Sequence, residues 1–192
     1  MERGRLEAFS DGVLAIIITI MVLELKAPKE GDWHVLQELL PEFLSYALSF
    51  TYVGIYWNNH HHLLKAVHRV NGSILWANLH LLFWLSLVPF TTAWVAKSHY
   101  APAPITLYGV VLLLSAVAYF ILQYAIVREH GRQSLLSKAL GSDVKGKLSL
   151  ALYLIAIGLS FWWSGVAFGI YILVAFIWLV PDRRISRVVN QP

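Results

Sequence analysis

The feature that most constrains this chain is a series of apolar runs long enough to cross a lipid bilayer. A hydrocarbon core of roughly 30 Å needs about 20 apolar residues in a helix. On that ruler about six spans are expected, near residues 8–25, 41–63, 73–96, 103–127, 147–164 and 166–181. No alternation of the transmembrane-barrel type is seen, so the spans are read as helices, which satisfy their own backbone in lipid. The last two runs are nearly fused through FWWSGVAFG, where Gly165 and Gly169 are expected to permit a tight hairpin. Of the 192 residues, 58% are hydrophobic and only 14% charged, against about a quarter charged in soluble domains. A water-facing globule of this size has no interior large enough for that apolar surface. The expectation is an all-α polytopic membrane protein, with residues 1–192 forming one domain of six transmembrane helices and no internal repeat.

Arg3 and Arg5 precede the first run as the basic region of a signal peptide would, but the run continues into LELKAPKE without a small-residue cleavage pattern. It is read as a retained first helix. Basic residues then set the orientation. Arg3 and Arg5, Lys65 and Arg69, Arg128, Arg132, Lys138, Lys145 and Lys147, and Arg183, Arg184 and Arg187 fall on one side of the membrane, twelve of the fifteen in the chain. Only Lys26, Lys29 and Lys97 fall on the other. The positive-inside rule then places both termini in the cytoplasm, in a multi-pass protein of the cell membrane. The same rule accounts for the net charge of +4 without a nucleic-acid partner. Glu24, Glu30, Asp32, Glu38 and Glu42 lie on the outer side. They form either a solvated loop or an acidic mouth that concentrates cations, with Glu24 nearest the first helix. Trp33, Trp57, Trp94 and Trp178 sit near span ends, as interfacial anchors do.

The chain has no cysteine, which excludes disulfides, thiolate metal sites and cysteine nucleophiles. The run NNHHH, residues 58–62, invites a metal reading. Successive helical residues point about 100° apart, so His60, His61 and His62 cannot all face one ion. His61 and His68 can share a face, but no carboxylate stands at ligand spacing beside them, and no HExxH occurs. No metal and no cofactor are expected. The histidines are structural or interfacial, or they sense protons. An enzyme would need convergent acids, nucleophile and base, which the spans lack. A secondary transporter usually shows broken helices or inverted repeats, and neither is visible. TYVGIYW, residues 51–57, echoes the filter of ordinary potassium channels, but it lacks the second glycine and lies inside an apolar span. It is read as plain helix.

The first helix carries the sharpest signal. From Gly12 to Leu23 its only polar side chain is Thr19. Ile16, Ile20 and Leu23 recur at i, i+4 and i+7 and form one stripe, bordered by Thr19. Asp11 points away from that stripe, toward neighbouring helices, as intramembrane acids usually do. The stripe either packs against other helices or lines a pore.

The string Arg5-x-x-x-Phe9-Ser10-Asp11 at the opening of this helix resembles the signature of the endolysosomal potassium channel family of the transmembrane protein 175 type, including its bacterial members. YWNNHH, residues 56–61, resembles the end of that family's second helix. RVNGSILWANLHLLFWLSLVPF, residues 69–90, resembles its third, so the likeness covers essentially the whole chain. It implies a cation channel that prefers potassium, with first helices around a central pore. Animal members carry two such units per chain and pair as dimers; one unit per chain implies a homotetramer. Its partners would be copies of itself, membrane lipid and monovalent cations, with potassium as the permeant ion. Ile16 matches the narrow apolar layer, Thr19 a threonine ring, Leu23 a further apolar layer, and Ile20 lies on the same stripe. Arg5, Phe9, Ser10 and Asp11 take a structural role, with Asn59, His60, His61 and Asn78 as candidate partners. A secondary transporter or proton-conducting protein using His60–His62 is the alternative.

Overall fold

The computed structural model describes residues 2–28, 33–65, 67–130 and 143–179. Lys29, Glu30, Asp32, Arg132, Lys138, Arg183, Arg184 and Arg187 lie outside the described residues. The described chain is all helical: α1 (Arg3–Leu23), α2 (Trp33–Glu38), α3 (Leu40–Lys65), α4 (Gly72–Ser86), α5 (Val88–Lys97), α6 (Pro102–His130), α7 (Val144–Leu159) and α8 (Ser164–Leu179). Three helical stretches, Arg3–Leu23, Gly72–Lys97 and Pro102–Glu129, are long and apolar enough to cross a membrane, and Ser164–Leu179 is a shorter apolar helix. The protein is therefore a multi-pass helical membrane protein. The helix α3 has the length, but its C-terminal third carries NNHHH, which lowers its hydropathy. The helix α7 has 16 residues.

Two expectations change at the level of local structure. The third span is two helices, α4 and α5, broken at Leu87. Pro89 lies in the first turn of α5; a proline there has no N–H for the i−4 carbonyl and its ring crowds it. The hairpin between the last two helices is made by Ser160–Trp163, with the Trp163 N–H donating to the Leu159 carbonyl at 2.8 Å. Gly165 and Gly169 lie inside α8, so they are not the turn residues. Ser160 keeps right-handed backbone angles, φ −60° and ψ −24°, and such a turn does not demand glycine. Non-glycine residues with positive φ occur instead between α5 and α6, at His99 (50°) and Tyr100 (61°). Tyr100 is held there by its hydroxyl, 2.9 Å from the Pro41 carbonyl, and by an edge contact with Phe168.

Two apolar cores share the long helix α6. One joins Leu6, Leu14, Ile17 and Met21 of α1 to Val53, Leu63 and Leu64 of α3, Ile74, Leu81 and Leu85 of α4, and Leu122 and Ile126 of α6. The other joins Tyr52, Val95, Ile105, Tyr108 and Leu112 to Tyr153, Ala167, Tyr171 and Val174 of the last two helices. Trp178 packs on this second core and donates to Ser149 Oγ at 2.8 Å, so it is an internal contact rather than an interfacial anchor. Trp33, at 82% exposed, and Trp57, at 48%, remain open. In lipid, apolar helix contact gains little by transfer, so cohesion rests on close approach and interhelical hydrogen bonds. The hydroxyl of Thr92 on α5 donates to Ser49 Oγ on α3 at 2.7 Å, and Ser49 Oγ bonds Tyr108 Oη on α6 at 2.9 Å. Gly109 lets α8 approach α6: a Cβ there would overlap the Tyr171 hydroxyl and Ile157. Gly109→Ala is expected to lose about 1–3 kcal/mol through overpacking, read as a lower thermal midpoint in detergent.

Candidate functional site

The helix α1 has two unlike faces. Leu6, Ser10, Leu14, Ile17 and Met21, three or four residues apart, are buried against the bundle. On the other side Phe9, Ile16, Ile20 and Leu23 are exposed by 52, 60, 45 and 73%. Thr19 is exposed beside them, and its hydroxyl donates to the Ala15 carbonyl at 2.8 Å. That bond uses the only hydroxyl proton and leaves oxygen lone pairs facing outward. Ala8, Gly12 and Ala15, also exposed, flank the apolar stripe with Thr19.

Polar bonds fix which face is buried. Ser10 is fully buried; its Oγ donates to the Leu6 carbonyl at 2.9 Å and accepts from Asn78 Nδ2 on α4 at 3.0 Å. Asn78 Oδ1 then accepts from His60 Nε2 on α3 at 2.6 Å. One buried relay thus ties three helices together. Around it, His61 Nδ1 lies 2.8 Å from Glu7 Oε1, and Trp57 Nε1 donates to Asp11 Oδ1 at 3.0 Å. The Trp57 ring stacks near that of His61, centroids 6.3 Å apart and planes 19° apart. The three histidines diverge: His60 turns to Asn78, His61 to Glu7, and His62 leaves Nδ1 buried with no hydrogen-bond partner among the described residues.

The structure therefore brings Ser10, His60 and Asn78 together, with His61 alongside. It separates others of the expected set. Arg5 is exposed and makes no ion pair among the described residues, because five residues of helix rotate it roughly 140° from Ser10. Arg3 reaches α3 instead, donating to the Lys65 carbonyl at 3.2 Å. Phe9 lies on the exposed face. Asn59 looks away from α1: its amide donates to the Ile55 carbonyl at 2.9 Å, and its own carbonyl accepts from Tyr119 on α6 at 3.1 Å. Asp11 is half-buried, not enclosed, and its partner is an indole. Glu7 has no place in the sequence reading, and Trp57 appears there only as an interfacial anchor. Their spacing was a usable signal: Glu7 and Asp11 are four apart on α1, and Trp57 and His61 four apart on α3, so the pairs match rung for rung.

At the far end of α1, Glu24 Oε2 meets Lys97 Nζ at 2.9 Å, both side chains about half exposed. The Lys97 ammonium holds the Glu24 carboxyl below the usual carboxylate range, with Lys26 a smaller contributor. The pair's contribution is present above the ordinary carboxylate pKa and is lost as falling pH protonates Glu24; exposure keeps it small. TYVGIYW lies wholly within α3.

These features define a class, a multi-pass helical membrane protein whose first helix is bonded along one side and apolar and open along the other. Residues 5–89 match the family described as "Endosomal/lysosomal potassium channel TMEM175". A potassium channel of Chryseobacterium sp. (strain P1-3) is 56% identical over 191 residues, 100% of both chains. The chain belongs to the TMEM175 family. The crystal structure of a lysosomal potassium-selective channel TMEM175 homolog from Chamaesiphon minutus superposes with a TM-score of 0.78 at 29% identity, covering 94% of this chain and 98% of that one. The mouse endosomal/lysosomal proton channel TMEM175 is 30% identical over 140 residues, 66% of this chain and 28% of that protein.

Asn78→Ala removes the middle of the buried relay and strands both Ser10 and His60. It is expected to cost about 1–2 kcal/mol, with Ser10→Ala/Asn78→Ala together costing less than the sum of the single changes in a double-mutant cycle of thermal stability.

Proposed function

We propose that this protein is a potassium-permeable cation channel in which four copies place α1 around a central pore. The observation that carries the reading is the open apolar face of α1, set opposite a face that buried hydrogen bonds hold in place. Ile16, Ile20 and Leu23 would form successive apolar rings, and Ile16 the narrow one. Water leaves such a neck, and an ion crosses only by shedding part of its hydration. Potassium holds its water less tightly than sodium and loses less. Thr19, whose oxygen lone pairs face out, would return some of the lost coordination. Potassium is the permeant ion, and no bound cofactor takes part. Ala8, Gly12, Ala15 and Thr19, small and three or four apart beside the stripe, suit close approach of a neighbouring copy. In this reading α1, α3, the α4–α5 pair, α6, α7 and α8 are the six spans of one domain covering residues 1–192. Both termini are cytoplasmic in the cell membrane, and Glu24 with Lys97 stands at the outer mouth.

A second reading, proton conduction, is favoured by the titratable Glu7–His61 pair at the inner end of α1 and by the name of the mouse relative. Proton flux that persists without potassium and is lost in His61→Gln would select it.

Reconstituted in liposomes, the wild type should pass potassium in preference to sodium. Ile16→Asn should wet the neck and raise potassium flux about tenfold, the effect of a barrier lower by about 1.4 kcal/mol, while narrowing the preference over sodium. Unchanged flux and selectivity would remove Ile16 from the narrow point.

A further inference from the structure

A groove separate from α1 runs along the junction of α4 and α6, with a volume of about 650 Å³, within the range of small-molecule sites. Asn71 Nδ2 at the start of α4 donates to Glu129 Oε2 at the end of α6 at 2.5 Å. The two helices are therefore antiparallel here, and these ends share one membrane face. Trp76 and Tyr124 line the groove about one turn deeper and are exposed by 75 and 67%. Open tryptophan and tyrosine rings near helix ends mark the level of lipid headgroups.

The mouth of the groove carries both signs of charge. Arg128 and Glu129 line it and are exposed. Consecutive helical residues point about 100° apart, so the two are neighbours without facing each other. Among the described residues Arg128 has no hydrogen-bond or ion-pair partner. Glu129 uses Oε2 on Asn71 and keeps Oε1 open. Asn71 in turn caps α4, its Oδ1 accepting from the Ile74 N–H at 2.9 Å, so the carboxylate is held by a fixed group. A carboxylate in the last turn of a helix opposes the helix dipole, so the stability of α6 does not account for Glu129.

The wall changes character with depth. His80 lines the groove one turn, about 6 Å, below Trp76. Its Nε2 accepts from Trp84 Nε1 at 2.9 Å, so Nδ1 carries the ring proton and is the donor. Leu79 and Phe83 are exposed on the same helix and continue the apolar surface. A cation and an anion side by side, then a donor, then apolar surface match a zwitterionic phospholipid. Its phosphate would meet Arg128, its primary ammonium Glu129, an ester carbonyl His80, and its acyl chains Leu79 and Phe83. A headgroup whose only charge is the phosphate sets an anion beside Glu129, and a quaternary ammonium has no N–H to give that carboxylate.

We propose that the groove between α4 and α6 binds a phospholipid with a phosphoethanolamine headgroup, held by Arg128 and Glu129. The site is distinct from the open face of α1 and does not depend on the channel reading. The test is lipid binding to the delipidated, purified full-length protein by native mass spectrometry. The probes are dioleoyl phosphatidylethanolamine, phosphatidylglycerol and phosphatidylcholine at matched concentrations. The ethanolamine lipid should bind about tenfold tighter than either of the others, the gain expected for one charge-assisted contact. Arg128→Gln should weaken its binding by about tenfold. Glu129→Gln, which still accepts from Asn71, should bring it down to the level of the glycerol lipid and leave the glycerol lipid no weaker than before. Phosphatidylglycerol binding as tightly as the ethanolamine lipid or tighter in the wild type would overturn the assignment, since Arg128 alone would then hold an anionic lipid. Equal retention of all three lipids would overturn it too, as expected where a neighbouring copy covers the groove. So would an unaltered ethanolamine preference in Glu129→Gln. If Glu129→Gln fails to assemble, as judged by its elution profile, the wild-type order of the three lipids together with Arg128→Gln decides.

Discussion

The buried relay from Ser10 through Asn78 to His60 is the contact on which the rest of the arrangement depends. Its distances, 3.0 and 2.6 Å, fix both the rotation and the height of α1 against α3 and α4. Leu14, Ile17 and Met21 continue the same face into the apolar core, but apolar contacts alone tolerate a rotated helix in lipid. A hydroxyl and an amide without water do not, because each unpaired group costs free energy. The consequence is that Ile16, Ile20 and Leu23 are held outward, whatever else surrounds the subunit.

Around this relay the ionisable groups are placed where they cost least. Glu7 and Asp11 lie in the N-terminal half of α1, partly open, each with a partner on α3. Glu24 lies just beyond the C-terminal end, against Lys97. Between them the helix has no charge at all. A cation moving along the open face would meet carboxylates at either end and only apolar rings and one hydroxyl between. Dehydration, not charge repulsion, would then set the barrier.

Much of this was legible in the sequence, and the reasons differ by element. The apolar stripe of α1 was readable because a straight helix converts spacing into direction without help from the fold. The roles of Ser10, His60 and Asn78 were readable as a group only through the resemblance. Their pairing depends on how three helices cross, which no single helix encodes. Arg5 and Asn59 were misplaced for the same reason: each is polar and near the motif, but helix rotation aims one at solvent and the other at α6. Trp57 was read as an interfacial anchor because tryptophan is common there; its indole N–H to Asp11 gives it a second task. The break at Leu87 was foreshadowed by Pro89. The hairpin at Ser160–Trp163 was hidden by two glycines that turned out to be helical.

Whether the Ile16 side of α1 faces the ion path is directly measurable, because the chain has no cysteine. Single cysteines would be placed at Ile16, Ile20 and Leu23, and at Leu14 and Ile17, and treated with a cationic thiol reagent during potassium flux from liposomes. Modification at the first three positions should alter flux, while Leu14 and Ile17 stay unreactive in the bundle. Flux changes confined to Leu14 and Ile17, or none at any position in a conducting protein, would contradict the account.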